Sequence, residues 1–278
     1  MVTCVIFRYP LYVTSPHQRM HVAMARLPRL YAPGLPQLVQ ASFAAPLAAA
    51  SQPAPAELLN QLALWLGEAA TRHKVAIHGW LLTTDCVLLL ATPRDEEGLP
   101  RLMQTLGRNL AARLRNGRVF AGRYRSALVE PGHWVLPALV WLESAPLRGL
   151  HPHDPERWPW SSAAGHTGAA IAGTSWMHDH PDFWAAGNTP FDRQANYRRR
   201  LTEGLSVDTA TQIQKAVAGQ WALGSATFIA SLASTASRRV APGKRGRPRK
   251  TPLPVDTEAN SNAGSDASPI NKSLSESI

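Results

Sequence analysis

The chain has few cysteines and no long apolar run. Cys4 and Cys86 are its two cysteines in 278 residues, which excludes a disulfide framework and a zinc site made of cysteines. No apolar stretch approaches the length needed to cross a bilayer. Arg8 and Pro10 interrupt the first apolar residues, so the pattern of a signal peptide is missing as well. We therefore predict a cytoplasmic protein without a membrane partner.

Acidic residues are scarce relative to basic ones. The chain has 19 Asp and Glu against 29 Lys and Arg, a formal net charge of +10. An excess of this size predicts a polyanionic partner, and nucleic acid is the commonest one. A generally basic proteome is the alternative explanation.

Apolar spacing predicts one α+β sandwich in the first half of the chain. The organising stretch is 80–93 (WLLTTDCVLLLATP), which has the composition of a buried strand. A turn at Thr83 and Thr84 would pair it with the strand before it. Strands are predicted at 37–43, 74–80 and 119–129, and helices at 56–72, 98–115 and 134–143.

The rest of the chain divides into shorter parts. Residues 1–23 are predicted to be a spurious or disordered extension, because they show no period or turn pattern, and 24–165 to be the α+β domain. Within a helical C-terminal region at 166–240, helices are predicted at 190–202, 208–217 and 225–236 after an irregular stretch at 151–173. The Ser/Asn/Pro-rich tail at 251–278 is predicted to be disordered.

Arginines dominate the stretch from 101 to 125, which has seven of them and no acid. Arg101, Arg108 and Arg115 recur at seven-residue spacing on a predicted helix and therefore lie on one side of it, opposite the leucines. Arg123 and Arg125 alternate on the following predicted strand. This pattern indicates a phosphate-binding surface, with a solvated basic face as the alternative.

A second basic segment is 243–250 (GKRGRPRK), within a predicted AT-hook-like motif at 241–250. Its core is similar to an AT-hook, in which glycine permits close approach to the minor groove and proline keeps the backbone extended. A plain basic linker is the alternative. The candidate DNA-binding residues here are Lys244, Arg245, Gly246, Arg247, Pro248, Arg249 and Lys250.

Two His-x-His pairs, His151 with His153 and His178 with His180, have the types of side chain that bind metals. Both pairs lie in proline-flanked sequence with no strand to fix the ligand angles. We interpret them as surface histidines and predict no metal site from them.

Taken together, these segments resemble the REP-associated tyrosine transposases, a branch of the single-strand HUH transposases. The order and spacing of the motifs, rather than any one of them, carry the resemblance between Met24 and about Lys250. The motifs are MARLPRL at 24–30, the stretch 80–93, GLPRLMQTLGR at 98–108, GRYRS at 122–126, PLR at 146–148, WSS at 160–162, WALGS at 221–225 with Phe228, RRV at 238–240 and GRPRK at 246–250.

The resemblance implies a ferredoxin-like core, Mg²⁺ or Mn²⁺ bound by two strand histidines, and a helix tyrosine that attacks a phosphate in a single-stranded hairpin. In this chain the histidine positions fall on Asp85 and Val87, and the tyrosine position falls near Leu110. Asp85 retains one oxygen for a metal, but Val87 has no donor atom. Tyr124 is the nearest tyrosine, and it matches a structural aromatic of the family.

The substitutions favour a DNA-binding protein without catalytic residues and without a cofactor. It would bind a single-stranded hairpin, an A·T-rich duplex or both, in association with the nucleoid, and a homodimer is left open. Two alternatives remain: an active transposase or nickase that uses Asp85 and an unrecognised nucleophile, and an architectural protein that binds DNA through 243–250 alone.

Overall fold

The computed structural model describes residues 28–49, 51–145, 154–169, 175–236 and 238–243. The chain divides into two units, Met1–Pro242 and Gly243–Ile278, and Gly243 is the one residue of the second unit that is described. Several predictions concern residues outside the described part. These are the predictions for 1–23, for the AT-hook-like residues 244–250, for the tail at 251–278, and for His151 and His153.

Between residues 28 and 128, the described part of the chain forms a four-stranded antiparallel sheet and two helices. The elements are β1 (Gln37–Ser42), α1 (Ala56–Arg72), β2 (Val75–Leu82), β3 (Cys86–Pro93), α2 (Gly98–Leu114) and β4 (Arg125–Leu128). Their order in the sheet is β2-β3-β1-β4, and every neighbouring pair is antiparallel. The prediction of an α+β architecture is confirmed. The predicted strand at 119–129 is much shorter, because only its last part pairs with β1.

The stretch 80–93 is not one strand. It contains the end of β2, a turn and the whole of β3. In the turn, the hydroxyl oxygen of Thr83 accepts hydrogen bonds from the backbone N–H groups of Asp85 and Cys86, at 3.1 and 3.0 Å. The Thr83 hydroxyl thus accepts hydrogen bonds from backbone N–H groups that have no partner strand within the turn. The hairpin between the two strands is as predicted.

The sheet is covered on both faces. Gly79 of β2 lies against α3 (Val135–Glu143), where an added Cβ would come 2.3 Å from Leu139. Trp80 points to the opposite face, and its ring centroid is 5.5 Å from that of Trp176, a side chain that lies against Gly67 of α1. A strand buried from both sides reads as a continuous apolar run, which explains the composition of β3.

The described residues after α3 contain α4 (Ala163–His166), α5 (Pro181–Trp184), α6 (Pro190–Glu203), α7 (Val207–Gly219) and α8 (Ala226–Thr235). Thr189, Ser206 and Ser225 each accept a backbone hydrogen bond at the start of α6, α7 and α8, as N-cap residues do. Helix α4 lies in the stretch predicted to be irregular. Among the described residues, no helix is both long enough and apolar enough to span a membrane.

A buried carboxylate at the end of α3 accepts hydrogen bonds from three later side chains. Glu143 is fully buried and accepts hydrogen bonds from the Ser162 hydroxyl at 2.5 Å, the His166 Nδ1 at 2.6 Å and the Tyr197 hydroxyl at 2.6 Å. Ser162 also accepts a hydrogen bond from the backbone N–H of Trp80 in β2. We call these four side chains the Glu143 network. It links the sheet, α3, α4 and α6 in one set of hydrogen bonds.

His78, His166 and His180 are buried near the Glu143 network. The prediction that His180 lies on the surface is therefore wrong. His180 is buried, accepts a hydrogen bond from the backbone N–H of Asp182 at the start of α5, and packs edge-on against His78 at a centroid distance of 5.0 Å. The Nδ1–H of His78 donates to the carbonyl of His178 at 2.6 Å, and its Nε2 accepts from Thr92 at 2.8 Å. His180 therefore has a structural role that the loop-like sequence around it did not indicate.

The pKa values of His78 and His166 shift in opposite directions. Burial lowers the pKa of His78 from 6.5 to about 4. Burial also acts to lower the pKa of His166, but the charge and hydrogen bond of Glu143 outweigh it and the pKa rises. Two histidines in one core therefore respond to different parts of the pH range.

Replacing Tyr197 by Phe should destabilise the fold by about 1–3 kcal/mol, because a buried carboxylate loses one of its donors. Thermal unfolding measures the loss. Tyr31→Phe is the matched control, since the Tyr31 hydroxyl makes its hydrogen bond to Arg94 in an exposed position and should change stability little. Equal effects of the two substitutions would contradict the role given to the Glu143 network.

Stability should pass through a maximum near pH 6.5. Below pH 6.5, His78 becomes protonated in the unfolded state, whereas in the folded state it stays neutral down to about pH 4. The free energy of unfolding therefore falls by about 3 kcal/mol between these two pH values. Above pH 6.5, His166 keeps its proton longer in the folded state, so stability falls as the pH rises through the folded pKa. Urea unfolding from pH 4 to pH 9 measures both slopes. An acid slope that is unchanged in His78→Gln would contradict the assignment.

Candidate nucleic-acid interface

Helix α2 separates the core from a basic surface. Its buried side consists of Leu99, Leu102, Met103, Leu106 and Leu110. Arg101, Arg108 and Arg115 are exposed, as their seven-residue spacing predicts, and we call them the α2 arginine face. The spacing corresponds to about 10 Å between successive arginines along the helix axis. Arg115 follows the last helical residue in a left-handed conformation with φ 51°.

His73 shows that the end of α1 belongs to the same positive surface. Its Nε2 lies 2.9 Å from the Thr105 hydroxyl of α2. Partial burial lowers the pKa of His73 first, and the charges of Arg72, Arg101 and Arg108 lower it further. Arg72 was not among the predicted site residues. It ends a different helix, and only the contact between α1 and α2 brings its charge to this surface.

Two carboxylates outside the stretch 101–125 reduce its net charge. Glu97 forms an ion pair with Arg101 one turn away on α2, and Glu57 of α1 lies 3.4 Å from Arg113. Within the described residues, Arg108 and Arg115 have no carboxylate partner of this kind. The sequence between 101 and 125 therefore suggests more unpaired positive charge than the structure has. Arg101 and Arg113 are paired with carboxylates, whereas, within the described residues, Arg108 and Arg115 are not.

A pocket of about 470 Å³ opens at the N-terminal half of α2. Arg29, Arg101 and Arg123 contribute three guanidinium groups to its lining and Glu97 one carboxylate. We call it the arginine pocket. Its other lining residues come from β1, from α2 and from the segment before β4: Ala41, Pro100, Met103, Gln104, Phe120, Gly122 and Tyr124.

Arg29 is the pocket residue that the sequence analysis did not select. Its guanidinium carbon lies 3.8 Å from the centre of the Tyr124 ring, a cation–π arrangement that fixes the orientation of the group. Arg29 lies in the motif at 24–30 that is part of the resemblance. Its contact with Tyr124 joins residues that are far apart in the sequence, so the sequence pattern did not reveal it.

Arg123 and Arg125 lie apart. Arg123 precedes β4 and lines the arginine pocket. Arg125 pairs with Gln40, and Gln40 pairs with Leu88, whose other partner is Leu81. Paired residues share a sheet face, and Leu81 is on the face of Gly79, where α3 packs. Arg125 is therefore exposed at the edge of the sheet, on the face that α3 covers. The structure does not bring it to the arginine pocket.

The positions where the resemblance implies metal ligands provide at most one donor side chain. Asp85 is exposed in the turn before β3, where the Thr84 hydroxyl donates to its carboxylate at 3.2 Å. Val87 is fully buried in β3 and provides no donor atom. No group of three or more His, Cys, Asp or Glu side chains suited to a metal occurs in the described part of the chain. Asp85 and Val87 together do not fit a divalent cation.

The nucleophile position is equally unsuited to attack on a phosphate. Leu110 is fully buried on the core side of α2. Tyr124, the nearest tyrosine, is only 6% exposed. Burial raises its pKa to about 12, although Arg29 and Arg123 act in the opposite direction. Its hydroxyl therefore stays protonated at neutral pH.

Comparisons with known proteins give one distant structural likeness. No family model matches the chain, and no curated protein matches it. A search of solved structures finds the "Structure of the REP associates tyrosine transposase bound to a REP hairpin", with 10% sequence identity and a TM-score of 0.44. The match covers 56% of this chain and 99% of that chain. A likeness at this level establishes neither a family nor a function for the chain.

Proposed function

We propose that the chain is a DNA-binding protein of the transposase type that binds short hairpins and does not cleave them. The observation that carries the proposal is the positive surface formed by Arg72, the α2 arginine face and the arginine pocket. Exposed guanidinium groups at regular spacing, two of them without a carboxylate partner in the described residues, suit a polyphosphate backbone.

The dimensions of the surface favour a short stem over a long duplex. Arg101 and Arg115 are separated by about 21 Å along α2, from the helical rise. With one phosphate every ~3.4 Å along each strand, this distance corresponds to about six base pairs. A hairpin stem of that length would contact the whole surface, whereas a longer duplex would extend beyond it.

The sequence resemblance and the strand order support a finer proposal about the fold. A chain order of strand, helix, two strands, helix and strand, with β3 and β1 in the centre of the sheet, is consistent with the ferredoxin-like core that the motifs imply. We propose that the core is of this kind and that the motifs are remnants of an HUH transposase. The boundaries at 165 and 240, a homodimer and association with the nucleoid stay predictions.

Loss of strand cleavage follows from the side chains at the implied site. A metal would need two donors at positions 85 and 87, and a fully buried valine occupies one of them. Phosphotyrosine chemistry would need an accessible, activated hydroxyl, and Tyr124 is buried and protonated. The proposed phosphate-binding surface includes neither a metal nor a tyrosine nucleophile. The chain can therefore bind DNA without cleaving it.

An architectural protein that binds DNA through 243–250 is the second candidate. The segment has five cations and an Arg-Gly-Arg-Pro core, which suits a narrow A·T minor groove. Deleting 243–250 separates the candidates, because hairpin binding through the α2 surface should survive the deletion. Complete loss of binding would favour the architectural protein.

Replacing Arg108 by Gln should weaken hairpin binding about equally for different stem sequences, because a phosphate contact is lost. The slope of log K against log salt should become shallower by about 1. Fluorescence anisotropy with a labelled hairpin at several salt concentrations measures both quantities. Arg200→Gln on α6 is the matched control. Unchanged affinity and slope in Arg108→Gln would overturn the proposed surface.

Incubation with an end-labelled hairpin and Mg²⁺ or Mn²⁺ should leave the DNA intact on a denaturing gel. The same hairpin should shift on a native gel, because binding needs no metal. A shortened strand and a protein-linked band would contradict the proposal and support the nickase alternative. Loss of that band in Tyr124→Phe would then identify Tyr124 as the nucleophile.

A further inference from the structure

We propose that a pocket between the starts of α3, α7 and α8 binds an organic cation, that is, an ammonium or a guanidinium group. The pocket has a volume of about 560 Å³, within the range of about 300–1,000 Å³ typical of small-molecule sites. Its lining includes Glu130, and we call it the Glu130 pocket. The inference goes beyond the proposed function, because it concerns a separate site and a ligand opposite in charge to DNA.

The motif WALGS at 221–225 brings α8 to the pocket. The Leu223 carbonyl accepts a hydrogen bond from the backbone N–H of Glu130 at 2.9 Å. At Gly224, an added Cβ would come 2.9 Å from the Glu130 Cβ, so a larger residue would push the two segments apart. Ser225 then begins α8 as its N-cap residue. The motif therefore has a structural role that DNA binding does not explain.

The Glu130 carboxylate is held in one orientation. Its two oxygens accept hydrogen bonds from the backbone N–H and from the hydroxyl of Ser225, both at 2.7 Å. A carboxylate has about four lone-pair sites, so about two remain for a ligand. Because the group is already oriented, a ligand pays less entropy to bind it.

The polar side chains beside Glu130 have lone pairs to offer a ligand. The Ser225 hydroxyl donates its one hydrogen to Glu130, so it accepts in its 2.9 Å hydrogen bond with Thr227. Thr227 therefore donates to Ser225 and keeps its own lone pairs for a ligand. Thr209 and His133 also line the pocket, and a neutral imidazole adds a further acceptor. Such a lining favours a ligand that donates through N–H groups.

Trp134 and Pro137 give the pocket an apolar part. Trp134 is half-buried at the N-cap of α3, and Pro137 lies in the first turn of that helix. An indole ring attracts a cation that lies within about 6 Å of its centre. No lysine or arginine of the described part of the chain lines the pocket. A carboxylate together with an indole ring therefore suits a cation with a short carbon chain.

An anion does not suit this pocket. The N-terminus of a helix ordinarily attracts anions, but at α8 the Glu130 carboxylate already accepts the Ser225 N–H. A second negative group would lie beside this carboxylate and be repelled by it. The arginine pocket has the opposite character, with three guanidinium groups in its lining. The two pockets would therefore take ligands of opposite charge.

The test measures binding of butylguanidinium and of butylurea to the full chain at pH 8 by ligand-observed NMR. The two probes have nearly the same shape, and only the first is charged. Butylguanidinium should bind about tenfold more tightly, because the cation–π and charge-assisted contacts act on it alone. Equal binding of the two probes would overturn the inference.

Two pocket variants locate the effect. Glu130→Gln and Trp134→Leu should each weaken butylguanidinium binding about tenfold, by loss of the ion pair or of the aromatic ring. Glu68→Gln is the matched control, since Glu68 is exposed on α1 and the control should bind the probe unchanged. Thermal unfolding shows whether Trp134→Leu folds; if it does not, Glu130→Gln decides, because glutamine retains an oxygen for the Ser225 N–H. Unchanged binding in Glu130→Gln would place the probe elsewhere and overturn the inference.

A competition experiment identifies the source of the cation. A capped peptide with one arginine between glycines competes with butylguanidinium for the full chain. Competition at a lower concentration than that of butylguanidinium would identify the ligand as a side chain of a partner protein. Weaker competition, or none, would identify it as a small free cation. Failure of butylguanidinium itself to bind would overturn the Glu130 pocket and leave hairpin binding, and with it the proposed function, unaffected.

Discussion

Burial of β3 from both faces is the constraint on which the rest of the structure depends. β3 lies between β2 and β1, and Val87, Leu88, Leu89 and Leu90 are all buried. A strand of this kind requires an apolar layer on each side of the sheet. α1 covers one face and α3 the other, so the chain must cross from one side to the other after β4. Arg123 and Arg125 are two residues apart but lie at different surfaces, because Arg123 precedes β4 and Arg125 is already paired within it.

The same constraint explains why position 87 does not suit a metal ligand in this core. Alternation puts Asp85 and Val87 on one side of the chain, but only position 87 lies within the packed strand. An ionised or metal-binding side chain at 87 would need donors and an opening to solvent, in place of apolar contacts. Valine removes that need. The aspartate remains where water reaches it, in the turn.

The Glu143 network provides the polar counterpart to this apolar core. A buried carboxylate is costly unless its lone pairs are satisfied, and here Ser162, His166 and Tyr197 satisfy them. Because these partners come from separate segments, forming the network fixes α4 and α6 against α3 and β2. The basic surface near α2 therefore rests on a frame whose later helices are held by directional bonds as well as by packing.

The sequence by itself determined the two long helices α1 and α2 and the sign of the charge on the surface. The helix predicted at 56–72 is α1 to the residue, and the helix predicted at 98–115 is one residue longer than α2, because a leucine repeat with period 3.6 is a local signal. The seven-residue repeat likewise predicted that Arg101, Arg108 and Arg115 share a side. Only the tertiary structure decided which charges act together. In the tertiary structure, Arg29, Arg72, Glu57 and Glu97 lie at the basic surface near α2. Arg125 lies away from the arginine pocket, and His180 is buried. The physical reason is that periodicity reports which face of one element is apolar, whereas a pocket or a charge pair depends on contacts between residues far apart in the chain, which no local pattern records.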